Sequence, residues 1–259
     1  MRRWKEEQEM PRQAAGNTED NHKGANHTKS VVAFLQARMG SSRLPGKVLM
    51  PIQGHTILER AIRRLRAAPI IDEIAVLTTR LREDDRIVEE SHRLGVWVYR
   101  GPELDVLARF YEASQEFHPD VIIRATADNP LIEIGSIDRI VTALSLENLD
   151  LCMERELPYG AATEAFTAEA LAKVHLLAQE APHREHVTLY IKEHPEDFCT
   201  SFPVAPEGVR HPQIRLTVDT PEDFIFVDQL IRRLPEGDYP LPLSEYLPFC
   251  FEELARRRM

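Results

Sequence analysis

The sequence predicts an α/β fold: a Rossmann-like, mostly parallel sheet flanked by helices, with a small β-rich lobe. Three observations predict it. Short apolar runs alternate with stretches whose apolar residues recur at helical spacing. The first run, Val31-Val32-Ala33-Phe34-Leu35, is apolar at every position, as in a strand covered on both faces. A chain of 259 residues with 43% apolar content can also build a substantial core.

Residues 1–29 are polar, of mixed charge and without apolar periodicity; they read as a disordered leader, native or partly an added tag. The first strand runs into a loop with Gly40, Pro45 and Gly46. A helix follows, on which Ile57, Leu58, Ala61, Ile62 and Leu65 line one face, interleaved with Arg60, Arg63 and Arg64. Residues 74–77 read as the second strand and 83–94 as a helix. Residues 96–99 read as the third strand and 104–117 as a helix. Residues 121–123 read as the fourth strand and 137–146 as a helix. This rhythm denotes βαβ units, whose ligands sit at the carboxyl ends of the strands. The loops after strands one and four are therefore the places to look for chemistry. Beyond them, 168–177 and 183–193 read as helices, 198–204 and 214–218 as strand-like stretches, and 221–233 as a helix. Pro235, Pro240 and Pro242 make a stiff connector to a last helix over 244–257. The expected organisation is a leader (1–29), one domain over 30–234 with a lobe at about 150–212, and a helical extension (235–259).

Acidic residues outnumber basic ones 42 to 32, for a formal net charge of -10. Phosphate-rich surfaces repel such a chain, which argues against nucleic-acid or anionic-membrane partners. No run reaches the roughly 18 apolar residues of a membrane span. No apolar stretch follows Met1-Arg2-Arg3, as a secretory signal requires. Cys152, Cys199 and Cys250 are scattered, odd in number and never paired as Cys-x-x-Cys. The expectation is a reduced, cytoplasmic protein with neither a disulfide framework nor a cysteine zinc site.

The most informative segment is Gln36-Ala37-Arg38-Met39-Gly40-Ser41-Ser42-Arg43-Leu44-Pro45-Gly46-Lys47. Small residues let backbone N–H groups approach an anion, and an arginine fork pairs with phosphate oxygens. Arg38, Arg43 and Lys47 repel one another unless a polyanion sits among them, or unless they splay into solvent as a plain basic loop. The spacing is not Walker A: one residue is too many, and Val48 stands where a metal-ligating Ser or Thr belongs. No Gly-x-Gly-x-x-Gly triplet occurs either.

This segment resembles the signature loop of sugar-activating nucleotidyltransferases, in wording the cytidylyltransferase branch that attaches CMP to acidic sugars such as ketodeoxyoctonate and sialic acid. The match is best with the spore coat polysaccharide biosynthesis (SpsF-like) subgroup. Further blocks carry it in order from about residue 31 to 233: Arg100-Gly101 with Asp105-Val106-Leu107; Arg124-Ala125-Thr126-Ala127-Asp128-Asn129-Pro130-Leu131-Ile132; Arg184-Glu185-His186-Val187-Thr188; and Leu216-Thr217-Val218-Asp219-Thr220-Pro221-Glu222-Asp223. The resemblance implies a nucleotide-diphospho-sugar transferase fold, a nucleotidyltransferase domain over 30–234, and a homodimer formed through the lobe, with the helix from Arg184 to Ile191 as candidate contact. It implies transfer of CMP from CTP to a small acidic acceptor, with pyrophosphate leaving.

The resemblance also assigns residues. Gln36, Ala37, Arg38, Gly40, Ser41, Ser42, Arg43, Lys47 and Arg100 hold the nucleotide. Arg38, Lys47 and Asp128 are catalytic, and Asp128 and Asp219 hold Mg²⁺. On the residues alone, Asp219 before Thr220-Pro221-Glu222-Asp223 reads equally as part of an ordinary helix N-terminus. Arg124, Asn129, Glu164, Arg184 and His186 are the acceptor candidates. His183 and His186 lie three apart and share a face if the helix is continuous, but no third ligand completes a zinc site. Arg100 and Asp105 either pair with each other or line the base pocket. One position departs from the subgroup: its Pro-x-Gly-x-Asp-x-Glu-x-Phe stretch is here Pro158-Tyr159-Gly160-Ala161-Ala162-Thr163-Glu164-Ala165-Phe166, with Ala162 in place of the first acid. Two other readings remain: a glycosyltransferase, although no Asp-x-Asp occurs, and an inactive nucleotide-binding protein.

Overall fold

The computed structural model of the chain describes residues 29–234, 237 and 240–257. The expected leader, apart from Lys29, and Pro235 of the connector lie outside the described residues.

Strand β1 (Val31–Gln36) is central, with β4 (Glu73–Thr79) parallel on one side and β6 (Val121–Thr126) parallel on the other; β2 (Pro51–Ile52) and β3 (His55–Thr56) form a separate antiparallel hairpin. Beyond β4 lies β5 (Trp97–Gly101), also parallel. Beyond β6 come β8 (Glu164–Thr167), β7 (Leu151–Cys152) and β9 (Thr200–Ser201), giving the order β5-β4-β1-β6-β8-β7-β9. β8 runs antiparallel to both β6 and β7. The lobe's strands thus extend the main sheet and share its hydrogen bonds.

Because successive side chains of a strand point to opposite faces, β1 feeds two cores. Val31, Ala33 and Leu35 pack with α1 (Ile57–Arg66) and α4 (Ile134–Leu146). Val32 and Phe34 pack with α3 (Val106–Phe117) and α5 (Ala168–Leu177). α2 (Asp85–Arg93) follows a 3-10 turn at Arg82–Asp84. Side chains cap the helix starts as the sequence chemistry dictates: Thr56 on α1, Asp105 on α3, Thr167 on α5. On α8 (Pro221–Arg232), Thr220 and Asp223 form a reciprocal capping box.

α8 and α9 (Leu243–Arg257) close a third apolar cluster with Ile52, Leu216 and Val218. Two of the α1 arginines are buried in the same region, Arg60 donating to the Ile52 carbonyl and Arg64 to that of Leu241. No described helix is long and apolar enough to cross a membrane. All three cysteines are free thiols, and burial pushes Cys152 up to about 11 and Cys250 up to about 12.

Three predicted elements need correction. The helix expected over 183–193 is two short ones, α6 (Ala181–Glu185) and α7 (Leu189–Glu193). The backbone leaves the helical region at His186 (φ -105, ψ 89), which ends α6 before α7 begins. The strand expected over 198–204 shrinks to β9, and 214–218 makes a single bridge, at Tyr159, because its hydrogen bonds run to loops.

Candidate active site

The chain leaves β1 for β4 on one side and later returns to β6 on the other, so a crevice opens between the carboxyl ends of β1 and β6. The Ala127 N–H donates to the Gln36 carbonyl across this junction at 2.9 Å. The loop 37–47 lies here and is tied down from beneath. Ala37 N–H donates to Leu77, Gly46 N–H to Met39, and the buried carboxylate of Asp84 accepts from Met39 N–H at 2.7 Å and from Thr79. Gly46, at φ 71, turns the chain into the 3-10 turn Lys47–Leu49, whose Val48 is in the core.

Asp219 reaches the same place through an extended segment. Tyr159 N–H donates to Ile214, Leu216 N–H to Tyr159, and Val218 N–H to the Asp128 carbonyl at 2.9 Å. Gly160, at φ 93, permits the close approach: a Cβ there would stand 2.6 Å from the Thr217 nitrogen.

The two aspartates meet at one cation. Lys47, 8% exposed, places Nζ 2.8 Å from Asp128 Oδ2 and 2.8 Å from Asp219 Oδ1. Arg43 reaches Asp219 Oδ1 at 3.1 Å, and Arg215 donates to Asp219 Oδ2 at 2.6 Å and to Asp223 at 3.0 Å. Burial alone raises the pKa of Asp219, but Lys47, Arg43 and Arg215 outweigh it and hold the carboxyl below its ordinary value. Arg38 is exposed and makes no hydrogen bond or ion pair among the described residues. Burial, and then the Arg38 charge, lower the pKa of Arg109.

Of the remaining residues singled out, Gln36 presents a buried, unpartnered Oε1. Ala37 is buried, while Gly40 and Ser42 are exposed. Ser41 Oγ accepts from Leu44 N–H. Arg100 holds the Thr79 and Leu81 carbonyls and Asp85. It does not pair with Asp105, which instead takes Arg184 at 2.5 Å while also capping α3. Asn129 donates to Thr126 Oγ1 at 2.8 Å, and its Oδ1 is buried without a partner. Arg184 also bonds the carbonyls of His175 and Ala178, so its guanidinium fastens the end of α5 to α3. His183 is buried against Tyr190 and bonded to Glu193, whereas His186 lies past the end of α6, exposed; the two share no face.

Arg124 and Glu164 are register partners on β6 and β8, with Nη1 2.8 Å from Oε2. Thr188 and Lys192 bond the other oxygen. Burial raises the Glu164 pKa, yet Arg124 and Lys192 overcome it and bring the carboxyl down to about 2. Sequence reasoning missed Asp84, Arg109, Lys192 and Arg215. Arg109, a charge within the apolar stripe of its helix, was the one with a readable signal.

A sheet of this order, with a cationic loop and two carboxylates, one just past β6 and one on an extended loop segment, converging at its switch point, is the architecture of a nucleotidyltransferase. The chain belongs to the cytidylyltransferase family: the profile described as Cytidylyltransferase matches residues 32–250, and the protein is a CTP-dependent nucleotidyltransferase. It is 44% identical to the uncharacterized protein MJ1063 of Methanocaldococcus jannaschii, over 75% of this chain and 80% of that one. It is 35% identical to the spore coat polysaccharide biosynthesis protein SpsF of Bacillus subtilis, over 80% and 88%. Its match to 3-deoxy-manno-octulosonate cytidylyltransferase 2 of Hydrogenovibrio crunogenus is 32% over 45% and 48%. A solved cytidylyltransferase from Leptospira borgpetersenii superposes with a TM-score of 0.81 at 28% identity, covering 88% of this chain and 96% of that one.

Proposed function

We propose that the protein transfers CMP from CTP to an acidic sugar, or a similarly small acidic or phosphorylated metabolite, for the synthesis of a surface polysaccharide or a related product. The observation that carries this reading is the convergence of Lys47 and Arg43 on Asp128 and Asp219, at the end of a loop on which Arg38 stands exposed. The SpsF and 3-deoxy-manno-octulosonate relatives support the acceptor class.

The residues fit a divalent metal. Asp128 and Asp219 each offer one oxygen to a common cation, now the Lys47 ammonium. Among the described residues no group of three or more His, Cys, Asp or Glu could hold a metal, so a divalent ion here would need nucleotide oxygens and water beside the two aspartates. Asp128 and Asp219 would hold Mg²⁺, which when bound would supply charge neutralisation at the α-phosphate for in-line displacement. Arg38, Arg43 and Lys47 grip the triphosphate and stabilise the charge gathering on departing pyrophosphate. Gly40 and Ser42, both exposed, let phosphate oxygens approach the backbone closely. The acceptor lies toward Arg124, Asn129 and Lys192. Ala162, which packs against the third apolar cluster, stands where the subgroup has an acid, which favours a different acceptor. Arg184 and Arg100 act by holding the framework, and a second copy docks through residues 150–212.

Pyrophosphate release from each of the four nucleotides with Mg²⁺, against a panel of sugar acids and phosphorylated polyols, tests the reading. CTP-specific release with a sugar acid is expected; no release with any acceptor overturns it. Sedimentation equilibrium tests the dimer.

A further inference from the structure

We propose that Lys47 is the resident counter-ion of the metal position: its ammonium keeps the place between Asp128 and Asp219 until nucleotide phosphates draw it away, so divalent metal and nucleotide enter together. The inference rests on the nucleotidyl-transfer reading above. Two carboxylate oxygens, each 2.8 Å from one nitrogen, lie within twice that distance of each other, and without a cation between them they would repel.

A hard divalent ion takes such oxygens at about 2.1 Å. An ammonium bonded to the same oxygens would stand within about 5 Å of it, where the two cations repel. The two therefore compete for the place.

The exchange is built into the chain. Gly46 and the buried Val48 fix the Lys47 backbone, while the four-carbon stem lets Nζ swing away. Arg43, whose side chain is 60% exposed, can leave Asp219 Oδ1 with it. Arg215 does not need to move: it keeps Oδ2, and Asp223 accepts from the Asp219 backbone N–H at 3.0 Å, so Asp219 stays in position while its other oxygen changes partner. Metal alone must displace a paired ammonium with no anion to receive it. With nucleotide bound, the displaced ammonium gains a phosphate partner. The two ligands thus help each other, and linkage makes that help reciprocal.

The test measures Mn²⁺ binding by electron paramagnetic resonance on the full chain without nucleotide, and CTP binding by calorimetry in the presence of a chelator. Lys47→Met should bind Mn²⁺ at least about fivefold more tightly than wild type. Lys47→Arg, which keeps a cation in place, should not, and adding Asp128→Asn to Lys47→Met should abolish the gain. Lys47→Met should also weaken CTP binding about tenfold or more. Lys47→Gln replaces the methionine variant if circular dichroism shows the latter unfolded. Unchanged or weaker Mn²⁺ binding by the neutral variant, with wild-type CTP binding intact, overturns this inference alone and leaves Lys47 a phosphate ligand only. Failure of the wild type to bind CTP with Mg²⁺ present as well as with the chelator overturns the nucleotide reading and the release step with it.

Discussion

Glu164 keeps its charge in a buried position because three donors from two segments meet it: Arg124 on β6, and Thr188 and Lys192 around α7. A carboxyl depressed to about 2 from an ordinary 4.5 contributes stability that is fully present above about pH 4.5 and lost as the pH falls toward 2. Glu164→Gln should therefore cost on the order of 3 kcal/mol at neutral pH. The gap from wild type in urea denaturation should close as the pH drops through that window; a constant gap from pH 7 to 3 would count against the assignment. Arg215 sits at the other extreme of exposure. It spans Asp219, Asp223 and the face of Tyr159, with its guanidinium 4.8 Å from the ring centre. Being part-exposed, its ion pairs add less than about 1 kcal/mol. Arg215→Met should leave thermal stability nearly unchanged yet raise the Mg²⁺ concentration needed for half-maximal turnover about tenfold. A melting point that falls while metal dependence stays fixed would show a purely structural role.

At the scale of elements, loops held from below decide the site. Asp84 joins the end of β4 to the loop after β1 by accepting from Thr79 and Met39. Asp84→Ala leaves two backbone donors buried without partners, costing about 2 kcal/mol or more. CTP affinity should fall as well, because Met39 adjoins Arg38; equilibrium denaturation and calorimetry read the two effects separately. Gly160→Ala forces a Cβ against the Thr217 backbone at a positive φ, with a cost of about 2 kcal/mol or more. Since Thr217 leads to Asp219, turnover measured at a temperature where the variant remains folded should drop at least about tenfold. Full activity there would mean that the segment relaxes without moving the carboxylate.

Across the whole molecule, the C-terminal helix is part of the core: Leu243, Tyr246, Leu247 and Cys250 are buried against α8. Each large apolar side chain is worth about 1.5–3 kcal/mol of burial. Truncation after residue 239 should therefore remove about 5 kcal/mol and broaden the thermal transition followed by calorimetry; a sharp transition at the wild-type temperature would refute that packing. The sequence carried the parallel sheet, the α1 to α5 helices and the cationic loop in plain view, since β1 is apolar at every position and the helices show their period locally. The capping box of α8 was equally local, and it masked Asp219 as a helix-start residue. What only the tertiary structure decided is which charges meet. Asp128 and Asp219 are 91 positions apart and converge on Lys47 through backbone bonds made by loops 158–161 and 214–218, which no periodicity announces. Arg100 and Asp105 likewise found Asp85 and Arg184 rather than each other. Local patterning follows from the chain's own period, whereas charge pairing depends on distances that exist only once distant strand ends are brought together.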